Sequence, residues 1–112
     1  MRQRIPYRDR VETIVGRNTT LNGEIYVTGS LRIEGKIEGK IKSSGDIYVG
    51  QEASVVASIQ ARNVIIAGEI RGDVDVMDRV ELAPSGRLLG NILAKKFIVG
   101  DGAYFQGEKK IR

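Results

Sequence analysis

Between residues 31 and 49 the chain reads LRIEGKIEGKIKSSGDIYV, with aliphatic residues at Leu31, Ile33, Ile37, Ile41, Ile47 and Val49. Every interval between neighbours is even, and glycine, lysine and glutamate fill the gaps. A helix requires threes and fours in alternation, whereas successive side chains of a strand point to opposite faces. The segment therefore reads as short strands, each with one inward side. The fours and sixes arise where an inward run continues past a small residue or turns a corner.

The organisation recurs. A pentapeptide of the form apolar, any, small, polar, apolar occurs as LNGEI at 21–25, IEGKI at 37–41, VVASI at 55–59, IRGDV at 70–74 and LLGNI at 88–92. A worn copy, FQGEK, lies at 105–109, and the steps between first residues are 16, 18, 15, 18 and 17. Between the copies runs an apolar-x-apolar unit: LRI, IYV, VII, VEL and FIV, with a weaker first copy beginning at Ile14. A third alternating series follows the pentapeptides, as in Ile25-Tyr26-Val27 and Val74-Asp75-Val76.

Three short strands per unit, repeated six times, predict an all-β fold: a single right-handed parallel β-helix of about six three-stranded coils. The helix is assigned to residues 14–112, behind a flexible basic tail at 1–13. Coils stack at ~4.8 Å, the spacing of hydrogen-bonded strands. A left-handed hexapeptide helix would return an aliphatic residue every six positions, and the mixed intervals favour the right-handed form. A sandwich of hairpins would show Asn-Gly turns between strands, but Asn22-Gly23 falls inside the repeat. The inward set includes Leu21, Ile25, Leu31, Ile33, Ile37, Ile41, Ile47, Val49, Val55, Ile59, Val64, Ile66, Ile70, Val74, Val80, Leu82, Leu88, Ile92, Phe97 and Val99. Gly23, Gly39, Ala57, Gly72, Gly90 and Gly107 are expected where the coil bends and the backbone nears the axis.

Composition narrows the function. The 112 residues suit one domain, and the chain has neither histidine nor cysteine. That removes disulfides, cysteine metal sites and the commonest acid–base side chain. It argues against the β-helical acyltransferases and carbonic anhydrases, which use histidines between coils. No G-x-x-x-x-G-K-[ST] signature occurs, so no nucleotide, metal or other cofactor is expected, and no catalytic residue is assigned. Asp73 and Asp75 share a strand face and read as a solvated pair rather than an acid–base dyad. The net charge of +4 is scattered over Lys36, Lys40, Lys42, Arg62, Arg71, Lys95 and Lys96 with acids beside them, a pattern against nucleic-acid binding. No apolar run approaches the ~20 residues of a membrane span, and MRQRIPYRDR lacks the apolar middle of a secretory signal, so a soluble intracellular protein is the expectation.

The ends carry the functional argument. A β-helix has no lateral edge but two axial ones, whose open N–H and C=O groups invite further strand pairing. Repeat proteins close such ends with caps, and little sequence flanks the coils here to serve as one. Phe105, Tyr104 and Ile111 are the candidate polymerisation surface at one end, and Ile14 and Leu21 at the other. The competing reading is that an aromatic merely plugs the end of the core. Outward apolar residues (Tyr48, Ile65 and Ile98, with Val56 and Leu89) would form a flank for lateral contact if they align.

The pattern TIVGRNTTLNGEI at 13–25, the repeated φ-x-G-x-φ units and the ending LLGNILAKKFIVGDGAYFQGE at 88–108 resemble a bactofilin, a bacterial polymer-forming cytoskeletal protein. The resemblance implies a six-coil right-handed β-helix and nucleotide-independent assembly through terminal coils into non-polar filaments. It implies a scaffold for cell-shape or cell-wall machinery in the cytoplasm, with cell-wall enzymes as partners and an N-terminal tail that meets the membrane. Met1, Ile5 and Tyr7 are the candidates for shallow insertion, with Arg2 and Arg4 against anionic headgroups. Family members often carry a longer Pro-rich C-terminal tail, which leaves recruitment through such a tail without a counterpart here. The alternative is a β-helical binding scaffold that does not polymerise.

Overall fold

A computed structural model describes residues 13–112, and every regular element in that range is a strand. The first coil consists of β1 (Thr13–Val15) and β2 (Thr20–Val27), the second of β3 (Leu31–Ile33) and β4 (Lys36–Ser43). β5 (Asp46–Val49) and the first part of β6 (Ser54–Ile66) make the third. The end of β6, β7 (Glu69–Arg71) and the start of β8 (Val74–Leu82) make the fourth. The rest of β8, β9 (Arg87–Leu89) and β10 (Ile92–Ala94) form the fifth. β11 (Lys96–Val99), β12 (Tyr104–Gln106) and β13 (Lys109–Ile111) form the sixth. All pairings are parallel and link each coil to the next, so the chain is a parallel β-helix with three walls.

Register converts the repeats into columns. In wall A, Leu31, Ile47, Val64, Val80 and Phe97 stack in line, as do Val15, Ile33, Val49, Ile66, Leu82 and Val99. Wall B stacks Leu21, Ile37, Val55, Ile70, Leu88 and Phe105. Wall C stacks Ile25, Ile41, Ile59, Val74, Ile92 and Lys109, and beside them Val27, Ser43, Ala61, Val76, Ala94 and Ile111. The columns are dry in the middle: Ile33, Ile37, Ile41, Ile47 and Ile70 have no exposed surface. Each such side chain contributes ~1.5–3 kcal/mol on burial.

The terminal coils depart from the expected core. Val99 points inward yet is 49% exposed, while Leu21, Ile25 and Phe97 are only partly buried. Their direction is the expected one, but a terminal coil has a neighbour on one side only. Conversely, Val15, Val76, Ala61 and Ala94 are buried and belong to the core, although the inward set above omits them. Ser43 is the one buried polar side chain among the described residues. Its hydroxyl donates to the Gly29 carbonyl at 2.5 Å and accepts from the Gly45 N–H at 3.0 Å.

The uneven repeat lengths have a simple origin. The walls contribute equal runs of residues, so the variation lies in the corners. The corner between walls A and B is long in the first coil (16–19), short in the second (34–35), long in the third (50–53) and short in the fourth (67–68). It is long again in the fifth and sixth, at 83–86 and 100–103. The two short corners lie within the 16- and 15-residue steps. Long corners reach across the short ones: Arg17 meets Glu52 at 3.3 Å over the second coil, and Gln51 meets Ser85 at 3.5 Å over the fourth.

The small-residue column follows wall B at its corner with wall C. Gly23, Gly39, Gly72, Gly90 and Gly107 take φ between 120° and 151°, a region essentially reserved for glycine. The crowding there runs along the axis rather than toward it. A Cβ on Gly39, Gly72, Gly90 or Gly107 would overlap the carbonyl of the small residue one coil earlier. What bars a side chain there is the backbone of the neighbouring coil.

Candidate assembly surfaces

The two ends of the β-helix are its unpaired edges. Among the described residues, β1 pairs only with β3 and β2 only with β4, while β11, β12 and β13 pair only with the fifth coil. Each edge strand therefore offers a row of backbone groups without a ladder partner.

At the C-terminal end the inner columns stop on Phe97, Val99, Phe105, Lys109 and Ile111. Phe105 and Phe97 meet edge to face with ring centroids 5.1 Å apart and an interplanar angle of 66°. Both rings pack on the core from below and are half-buried. Ile111, 62% exposed, lies on the same face. The Lys109 ammonium sits 5.5 Å from the Phe97 ring centroid, within cation–π range. Arg112 turns back along the outside of wall C, donating to the Val76 carbonyl at 3.0 Å and pairing with Asp75.

Tyr104 is placed differently from its neighbour. It precedes Phe105 on one strand, so its side chain projects from the outer side of wall B. There the Arg87 guanidinium lies 5.3 Å from its ring centroid, and its hydroxyl donates to Gln106 Oε1 at 2.8 Å. Tyr104 therefore borders the end face without forming part of it.

At the N-terminal end, the inner columns begin with Thr13 and the aliphatic Val15, Leu21, Ile25 and Val27. Leu21 belongs to this aliphatic set and is half-buried. Ile14 does not: it is 63% exposed on the outer side of wall A. The candidates thus divide into Phe105, Ile111 and Leu21 on end faces, and Tyr104 and Ile14 on flanks. Phe97, Val99, Lys109, Ile25 and Val27 also belong to the faces and were not singled out. Strand parity within the terminal coils was the signal that identifies them. Met1, Arg2, Arg4, Ile5 and Tyr7 lie outside the described residues.

The outward apolar positions do fall into register. Ile14, Arg32, Tyr48, Ile65, Glu81 and Ile98 form one outer column of wall A. Arg32 and Glu81 interrupt it. Arg32 stacks over Tyr48 at 4.9 Å and donates to Glu34 at 2.6 Å, a carboxylate contact that raises its pKa further. Val56 and Leu89 share an outer column of wall B, with Arg71 between them.

Asp73 and Asp46 serve the corners. Asp73 Oδ1 accepts from the Asn91 N–H at 3.2 Å, and Asn91 Oδ1 from the Glu108 N–H at 3.1 Å. Asp46 and Asn63 make a similar ladder at the next corner, at 3.1 Å. Among the described residues no group of three or more histidine, cysteine, aspartate or glutamate side chains could hold a metal ion. No described helix is long and apolar enough to cross a membrane.

Residues 13–110 match the family model described as "Bactofilin: Polymer-forming cytoskeletal". Bactofilin BacO of Myxococcus xanthus (strain DK1622) is 37% identical over 95 residues, which cover 85% of this chain and 75% of that protein. Bactofilin BacP of the same organism is 32% identical over 95 residues, covering 85% of this chain and 40% of BacP. The chain also superposes on the cryo-EM reconstruction of Thermus thermophilus bactofilin double helical filaments. The TM-score is 0.81 at 28% identity, over 88% of this chain and 99% of that one.

Proposed function

The chain belongs to the bactofilin family of polymer-forming cytoskeletal proteins, and from that premise we propose that it assembles end to end, without nucleotide, into non-polar filaments. One observation carries this reading. Four of the five inner columns reach the C-terminal coil on apolar residues, Phe97, Val99, Phe105 and Ile111, beneath strands paired on one side only. Stacking a second coil there would extend the backbone ladders and bury both rings, with no chemical step to drive. The faces differ, aromatic at one end and aliphatic at the other, so like meeting like gives a filament without polarity. The family resemblance supports that arrangement.

The filament is a structural scaffold rather than an enzyme in this reading, positioned in the cytoplasm and serving cell-shape or cell-wall machinery. The basic tail, with Met1, Ile5 and Tyr7 among Arg2 and Arg4, would hold it peripherally on anionic membrane. Both statements rest on the family resemblance and on the tail's composition. Flotation with anionic vesicles, comparing the full chain with one lacking residues 1–12, tests the second.

Phe105→Arg tests the assembly. It places a guanidinium at the centre of an apolar junction, which costs several kcal/mol unless the charge reaches solvent. The expected product is a folded, soluble short oligomer in electron micrographs taken without nucleotide, beside long wild-type filaments. Long filaments from the variant would show the C-terminal contact to be wrongly assigned. Monomeric wild-type protein under the same conditions would favour a non-polymerising scaffold.

A further inference from the structure

The five inner columns contain one charged residue among the described residues, and it lies on the end face. In wall C the series Ile25, Ile41, Ile59, Val74, Ile92 ends in Lys109. Any aliphatic residue would have completed the column. The other two walls present the same face with apolar groups alone, Phe97 and Val99 from wall A and Phe105 from wall B. An end face of three walls can meet a like end in three settings, related by thirds of a turn. Apolar contact is non-directional and discriminates poorly among them.

We propose that Lys109 keys the junction with a second copy of this chain, excluding one of the three rotational settings of the docked ends. The proposal rests on the end-to-end reading above. The setting that lays wall C on wall C of the copy opposes two ammonium groups in a seam short of water, where like charges repel strongly. The other settings lay Lys109 against a wall carrying a phenylalanine. The ammonium already occupies such an environment within its own chain, 5.5 Å from the Phe97 ring centroid. A single cation in one wall thus narrows the choice that three apolar walls would leave. The same logic lets one polar residue set register in a coiled coil at a cost in stability.

The test compares wild type, Lys109→Leu and Lys109→Arg by pelleting across protein concentration and ionic strength, and by electron microscopy of the filaments. Circular dichroism confirms that each variant keeps its strands. Lys109→Leu is expected to polymerise at a concentration lower on the order of tenfold, because no charge enters the seam. It should also show a filament repeat absent from the wild type, since the excluded setting becomes available. Lys109→Arg keeps the cation and should keep the wild-type repeat. A Lys109→Leu filament with no repeat beyond those of the wild type overturns the proposal, whether or not its threshold falls, because the lysine would then add cost without excluding a setting. Phe105→Arg runs in the same series. If it pellets like wild type, the end face is not the junction and the end-to-end reading itself fails, independently of Lys109.

Discussion

The glycine column permits a controlled dissection of what holds successive coils at their spacing. Gly23 and Gly39 occupy equivalent corners in the first and second coils, with φ of +120° and +131°. Alanine at either position must adopt a conformation that costs about 1–3 kcal/mol. The positions differ in what lies before them. A Cβ on Gly23 meets nothing within 4 Å, whereas a Cβ on Gly39 overlaps the Gly23 carbonyl. That carbonyl belongs to backbone tied into the β2–β4 ladder, so relief requires the coils to part locally or the corner to take the path it follows at Ala57, where φ is not positive. Each buried backbone group left unpaired adds about 1–3 kcal/mol. Gly23→Ala should therefore lose only the conformational cost, and Gly39→Ala at least about 1–3 kcal/mol more. Against a typical domain stability of about 5–15 kcal/mol the second loss is large. At about 4–8 °C per kcal/mol for a chain of this size, the midpoints should separate clearly. The assay is thermal and urea unfolding followed by far-UV circular dichroism. Both variants are built on Phe105→Arg, so that assembly does not add to apparent stability. Equal losses would refute the claim that coil-to-coil overlap enforces glycine here. A neutral Gly23→Ala would refute the conformational half.

Further outcomes follow from the same geometry. Ile41→Ala in the dry middle should lose about 2–5 kcal/mol in urea unfolding, and Ile25→Ala in the first coil distinctly less, because Ile25 is only half-buried; equal losses would contradict the column picture. Ser43→Ala removes the acceptor of the Gly45 N–H and the donor to Gly29, so it should lose about 1–3 kcal/mol despite adding a better apolar fit; a stabilised variant would show that water replaces both bonds. If this flank is a lateral contact between filaments, Ile65→Lys combined with Ile98→Lys, which charges the outer column of wall A, should leave single filaments of unchanged length. Unaltered pairing in micrographs would exclude that flank as a lateral contact.

Much of this architecture could be read along the chain because strand parity is a local property. The alternation in LRI, IYV and VII predicts the columns of wall A, and the pentapeptides mark wall B and its corner with wall C. The family followed from the same residues. Even the worn copy FQGEK carried the decisive anomaly, a lysine at an aliphatic position, although its meaning depends on what lies beneath it. The glycine column shows the same limit: its spacing is visible in one dimension, but the carbonyl that forbids a side chain is reached only after a full turn of backbone.

What the sequence determined by itself, then, is the inward or outward sense of most wall residues and the number of coils, since both follow from a two-residue period and its recurrence. The tertiary structure alone decided which inward residues lie exposed on an end face, and that Arg17 reaches Glu52 across a shorter corner. Those outcomes depend on stacking between residues about a coil or more apart, and a side chain's surroundings in a solenoid are set by the coil above and below rather than by its neighbours along the chain.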